Sequence, residues 1–171
     1  GEMRLHPGVI TFRWHPKAVL APQSELPYLT SLEERINLLK ELGVEHLIVL
    51  SFTKELAQLT AREFVSLLRE HLKMRRLVIG PDFALGRGRE GNADLLRSLG
   101  EELGFTVEVA SLLTLEGQIV SSPAIRGALA QGDMEKATKM LGRRFRVGGV
   151  VVRGEDRGGK LLGFPTANLR I

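Results

Sequence analysis

The chain has 171 residues, enough for one domain with its own core and part of a second. Its 43% apolar and 26% charged content excludes the disordered class, and a net charge of +4 is too small by itself to define a nucleic-acid binder. No apolar run reaches the roughly 18 residues of a membrane span, no signal-peptide pattern opens the chain, and cysteine is absent. The four histidines, His6, His15, His46 and His71, show no ligand-like spacing. The expectation is a cytoplasmic protein with no membrane partner and no transition metal. In chain order, the first element is "GVITF" (residues 8–12), a near-continuous apolar run of the sort buried on both faces of a parallel sheet. "HLIVL" (46–50), "RLVIG" (76–80) and "FTVEVA" (105–110) have the same character.

Helices fill the intervals. The first opens at Ser31, which forms a capping box with Glu34, and Ile36, Leu39 and Leu42 mark its apolar stripe. The second opens at Thr60 with Glu63 as its box partner, followed by Phe64, Leu67, Leu68 and Leu72 at helical spacing. The third runs over residues 93–103, with Asn92 as N-cap and Leu95, Leu96, Leu99 and Leu103 facing inward. Strands alternating with helices predict right-handed crossovers and one mostly parallel sheet, which binds ligands at the carboxyl ends of its strands.

Beyond the fourth strand, "LTLEGQIV" predicts a hairpin turning at Glu116 and Gly117. "SSPAIRGALAQG" predicts a short helix with Ser122 as cap and Pro123 in its first turn, and a further helix over 133–141 ends at Gly142. The remainder is glycine-rich and β-like, which places a domain boundary near 142–144 and divides the chain into 1–142 and 143–171. Seven cationic residues (Arg143, Arg144, Arg146, Arg153, Arg157, Lys160, Arg170) face only Glu155 and Asp156 in this last stretch. Such an excess suits a polyanion, the phosphates of a nucleotide, or simply the solubility of an exposed edge.

Three loops carry candidate chemistry. "GPDFALGRGREGN" (80–92) leaves a strand and feeds a helix; its four glycines allow close backbone approach to a ligand, and the helix start favours an anion. It reads as a phosphate or nucleotide loop, or as a glycine-rich crossover holding nothing. "SSPAIR" (121–126) offers serine hydroxyls, free N–H groups and Arg126 to phosphate oxygens, or is a plain N-cap with a surface arginine. "GFPTAN" (163–168) offers Thr166 and Asn168 as hard oxygen donors of the kind Mg²⁺ accepts, beside a turn stiffened by Pro165, or is a turn only.

Taken in order, "TFRWHP", "LTSLEERINLLKELGVEHLIVLSFTKELAQLTAREFV", "VIGPDFALGRGREGN", "VSSPAIRGAL" and "GFPTAN" resemble the prokaryotic bifunctional riboflavin kinase/FMN adenylyltransferases across essentially the whole chain. The resemblance implies an α/β fold: a Rossmann-like, parallel-sheet nucleotidylyltransferase domain over 1–142, followed by the start of a riboflavin kinase β-barrel over 143–171. It implies phosphorylation of riboflavin by ATP with Mg²⁺, then transfer of AMP from ATP to FMN, giving FAD and pyrophosphate. Gly80, Asp82, Phe83, Gly86 and Asn92 would serve the flavin. Ser121, Ser122 and Arg126 would serve ATP phosphates, Gly163 and Pro165 the kinase ATP, and Thr166 and Asn168 the metal. Small molecules, not nucleic acid, would be the partners.

The departures define further expectations. No His-x-Gly-His stretch is present, although that motif holds ATP phosphates in the family, and the chain resembles one that lacks its first strand. Thr11, Phe12, Arg13, Trp14, His15 and Pro16 stand where the family shows Thr-Phe-Asp-Pro-His-Pro, and Pro123 replaces a threonine before the Ile-Arg pair. The carboxylate that activates the riboflavin hydroxyl in the family is not reached. The expectation is a chain incomplete at both ends and impaired as a catalyst, its catalytic residues unassigned. The segment after Gly142 is expected to be poorly ordered, or to pair with another part of the chain or another copy through exposed strand edges. Two alternatives remain open: a catalytically silent flavin- or nucleotide-binding remnant, and a basic polyanion-binding module.

Overall fold

A computed structural model describes residues 5–21, 23, 27–152, 163 and 168–170. Two compact units emerge, one of residues 1–27 with 34–120, the other of residues 28–33 with 121–171.

In the first unit, β1 (Gly8–Phe12) and β2 (His46–Leu50) pair in parallel, Gly8 opposite His46 and Phe12 opposite Leu50. Between them lie a short helix α1 (Pro16–Leu20) and α2 (Leu32–Glu41). The Arg35 guanidinium of α2 donates to Thr11 Oγ1 at 3.0 Å and to the Phe12 carbonyl at 2.9 Å, which ties the helix to the end of β1. After β2 come α3 (Lys54–Gln58) and α4 (Ala61–Leu72), then β3 (Arg76–Ile79), α5 (Ala93–Leu103) and β4 (Thr106–Val109). β3 and β4 are parallel, with Arg76 opposite Thr106. The unit closes with the antiparallel pair β5 (Thr114–Leu115) and β6 (Gln118–Ile119), turning at Glu116 and Gly117 as predicted.

One feature departs from the sequence expectation. The four parallel strands do not share one hydrogen-bonded sheet: among the described residues β1–β2 and β3–β4 are two separate pairs. The apolar runs give each strand's existence and direction, but adjacency depends on which backbone edges meet, and no side-chain pattern encodes that. Burial departs as well. The core gathers Ala61 and Val65 of α4, Ile79 of β3, Leu96 and Leu99 of α5, and Phe105. No residue of β1, α2 or β2 is fully buried.

Local chemistry explains the helix starts. Thr60 Oγ1 accepts the Glu63 N–H while the Glu63 carboxylate accepts the Thr60 N–H at 2.7 Å, completing the capping box that the sequence shows. Asn92 Oδ1 accepts the Leu95 N–H at 3.0 Å to cap α5. The two short helices escape the pattern analysis because five residues are too few for an apolar stripe. Their caps are nevertheless legible: His15 Nδ1 accepts the Lys17 N–H before Pro16, and Thr53 Oγ1 accepts the Leu56 N–H. At Gly100 an added Cβ would sit 2.5 Å from the Phe105 carbonyl oxygen, so only glycine lets the chain fold back from α5 into β4.

The second unit contains α6 (Ser122–Ala130), α7 (Met134–Leu141) and an antiparallel pair, β7 (Val150–Val152) with β8 (Asn168–Arg170). Ile125 and Ala128 of α6 and Ala137 and Met140 of α7 are its buried apolar residues. The N-cap of α6 is Ser121, one residue earlier than predicted: its Oγ accepts the Ala124 N–H at 3.4 Å, and Ser122 is already helical. With Pro123 in the first turn, the earlier serine is the one whose extended backbone can reach back to the helix. Asp133 caps α7, and Gly142 ends it in the left-handed conformation. Both strands of the β7–β8 pair lie after Gly142, so that segment pairs within itself there rather than with another part of the chain.

Candidate functional site

The 80–92 loop leaves the carboxyl end of β3 and enters α5, where a parallel strand offers its ligand face. Its glycines divide into two kinds. Gly86, at φ +78°, would place a Cβ 2.5 Å from the Ala61 nitrogen, and Gly91 would place one 2.8 Å from the Ala61 Cβ. These two let the loop lie against the first turn of α4. Gly80 and Gly88 have nothing within 4 Å of an added Cβ and face open space. The glycine-rich composition therefore reflects both of the readings the sequence left open, at different positions.

Hydrogen bonds fasten the loop to the junction of α3 and α4. The Arg87 N–H donates to the Leu59 carbonyl at 2.7 Å, and the Glu90 carboxylate accepts the Ala61 N–H at 2.7 Å, capping one of the helix's orphan donors. Leu85 and Gly91 exchange both backbone bonds and close the loop on itself. Arg89 Nη2 reaches back to the Asp82 carbonyl at 3.1 Å.

Electrostatics follow from this arrangement. Glu63 is held below the usual carboxylate range, chiefly by the Thr60 backbone N–H, then by the Thr60 hydroxyl, with a smaller pull from Arg87 of the loop. Glu55 is lowered by its own backbone N–H and by Thr53. Glu102 is lowered, and Arg62 raised, by their mutual hydrogen bonds, one of them at 2.7 Å.

The predicted flavin-side residues sit as follows. Gly80 and Asp82 are exposed in the turn after β3, where the Phe83 N–H donates to the Gly80 carbonyl at 3.1 Å, and Phe83 is 40% exposed. Gly86 is spoken for by the α4 backbone, and the Asn92 side chain by the α5 cap. In the second unit, Ser121 caps α6, Ser122 is exposed, and Arg126 is half-buried one turn on. Gly163 is exposed at φ +70°, and Asn168 is exposed at the start of β8, opposite Val152. Pro165 and Thr166 lie outside the described residues. Sequence reasoning passes over Arg87, Arg89 and Glu90. The signal was available, since two cations within a loop read as phosphate-binding belong to the same chemistry.

Paired parallel strands linked through helices, with a glycine loop at a strand's carboxyl end, define a mixed α/β domain, consistent with a nucleotidyltransferase-like one. The family model described as FAD synthetase matches residues 1–124, most of the chain, and the chain belongs to that family. A second model, described as riboflavin kinase, matches residues 141–171. The bifunctional riboflavin kinase/FMN adenylyltransferase of Escherichia coli (strain K12) is 38% identical over 162 residues, 94% of this chain and 51% of that protein. That of Haemophilus influenzae is 34% identical, over 99% of this chain and 55% of its own length. The chain thus spans about half the length of the curated relatives it matches. A crystal structure described as a macrolide-efflux protein from Streptococcus pneumoniae superposes with a TM-score of 0.80 at 32% identity, covering 97% of this chain and 54% of that one. Among the described residues no helix is long and apolar enough to cross a membrane.

Proposed function

We propose that the protein acts in FAD biosynthesis, phosphorylating riboflavin to FMN and transferring AMP from ATP to FMN with release of pyrophosphate. The observation that carries this reading is the FAD synthetase match over residues 1–124, joined by a riboflavin kinase match over 141–171. Residues 1–142 would be the adenylyltransferase part and 143–171 the beginning of a kinase barrel, of which the β7–β8 pair would be the first ladder.

In adenylyl transfer an FMN phosphate oxygen attacks the α-phosphorus of ATP, the bond to the β-phosphate oxygen breaks, and pyrophosphate leaves. Catalysis of such a step is mostly positioning and charge neutralisation. Gly80, Asp82 and Phe83 form the open part of the β3–α5 loop and would meet the flavin, Phe83 through its exposed ring. Gly86 and Asn92 would act indirectly, by shaping the loop. Ser121, Ser122 and Arg126 at the start of α6 would take ATP phosphates. Gly163, Pro165, Thr166 and Asn168 would serve the kinase nucleotide. The hard oxygens of Thr166 and Asn168 match Mg²⁺, which would neutralise phosphate charge there. Because no His-x-Gly-His stretch is present, this chain alone would bind substrates while turning them over slowly.

Titration of the chain with FMN, followed by flavin fluorescence, tests the reading. Saturable quenching is expected, weakened by Phe83→Ala and Asp82→Asn. Indifference to FMN and ATP, together with steeply salt-dependent binding of a polyanion, would favour the basic-module alternative instead.

A further inference from the structure

We propose that His6, Glu45 and His46 form a binding site for a borderline divalent transition-metal ion of the zinc type. The three offer ligand atoms that all lie within 4.8 Å of one another. His6 Nδ1 is 2.5 Å from Glu45 Oε2, and the two imidazole rings stand edge-on at 5.9 Å.

Backbone pairing brings together residues 39 and 40 positions apart. β1 and β2 are parallel, so their entry ends coincide, and the His46 N–H donates to the Pro7 carbonyl at 3.2 Å. Pro7 also confines His6 to extended conformations, which limits where its ring can go. Neighbours within a strand point to opposite faces, and Glu45 and His46 would diverge if both were strand residues. β2 begins at His46, so Glu45 is free of that alternation and reaches His6 from the turn.

The donor set selects the metal. Two imidazoles and one carboxylate suit zinc and its transition-metal neighbours, leaving a fourth position for water, whereas Mg²⁺ prefers oxygens alone. Zinc bonds of about 2.0–2.1 Å in a tetrahedron put ligand atoms roughly 3.3 Å apart. Reaching that spacing means moving His6 Nδ1 and Glu45 Oε2 apart from 2.5 Å and bringing the more distant atoms together, by rotation of exposed side chains. The site lies at the amino ends of β1 and β2, opposite the carboxyl edge of that strand pair. A bound ion would staple the strand pair.

The test is calorimetric titration of zinc chloride into the whole chain in chelator-treated buffer, with magnesium chloride as a second arm. One equivalent of zinc is expected to bind, His6→Ala and His46→Ala each weakening it about tenfold or more, while His71→Ala changes nothing. Zinc is also expected to raise the melting temperature of the parent chain but not of the His6→Ala/His46→Ala variant, with FMN quenching the same in both. Zinc binding undiminished in that double variant, equal binding of magnesium, or no zinc binding by the parent chain would overturn the proposal.

Discussion

At the scale of single residues, the glycine loop separates two roles that composition merges. Gly86 is required by Ala61: its positive φ and the 2.5 Å approach of the α4 backbone leave no room for a methyl group. Gly88 also has a positive φ but no neighbour within 4 Å. Gly86→Ala is therefore expected to destabilise the chain by several kcal/mol, combining overpacking with conformational strain. Gly88→Ala should cost only about 1–2 kcal/mol, the strain alone. Urea unfolding of the two variants beside the parent measures the difference, and equal losses would contradict the packing argument. The sequence shows that the loop needs glycine. It does not show which glycines serve the fold, because Ala61 is 25 residues before Gly86 and their meeting is a tertiary fact.

Elements were the most legible level, and their ends show why. Thr60 with Glu63, and Asn92 before α5, are short-range signals, fixed by residues within one turn, and both operate as the sequence suggests. The α6 cap shifted by one residue because Ser121 and Ser122 carry the same signal. α4 ends at Lys73 in the left-handed conformation, φ 52°, where glycine is the usual occupant. Lys73→Gly is expected to stabilise the chain by up to about 1 kcal/mol, since it relieves that conformation but adds freedom to the unfolded chain. A rise in melting temperature checks it. The Thr60–Glu63 box carries a pH dependence. Glu63 is depressed in the folded state, so its contribution is present above the free glutamate value of about 4.3 and disappears as pH falls through the lower folded value. The stability gap between the parent and Glu63→Ala should accordingly be widest above pH about 5 and close on further acidification. A gap independent of pH would show that the charge does not matter to the cap.

For the whole molecule, the two strand pairs are unequal. β3 and β4 lie against α4 and α5 around Val65 and Leu96, both essentially inaccessible, whereas β1, α2 and β2 contribute no buried residue. Amide exchange should accordingly be slowest in β3, β4, α4 and α5 and distinctly faster in β1 and β2. Uniform protection across the four strands would mean that they behave as one sheet. Each pair also leaves backbone edges without a ladder partner among the described residues, a template for pairing with another copy. Light scattering should therefore show association growing with protein concentration, and a size constant over a hundredfold range would exclude it. The sequence identified four parallel strands and their order along the chain, but not their division into pairs. Strand identity is written in side chains, while adjacency is settled between backbones that carry no label.

The fastening of the 80–92 loop to the head of α4, through Arg87, Glu90 and the two close-packed glycines, bears on how a ligand would arrive. Swinging such a loop aside would uncap a helix, so it is unsuited to act as a moving flap. A small molecule would meet a ready-made platform, and its capture in rapid mixing would run as a single exponential, with a rate set by encounter rather than by rearrangement.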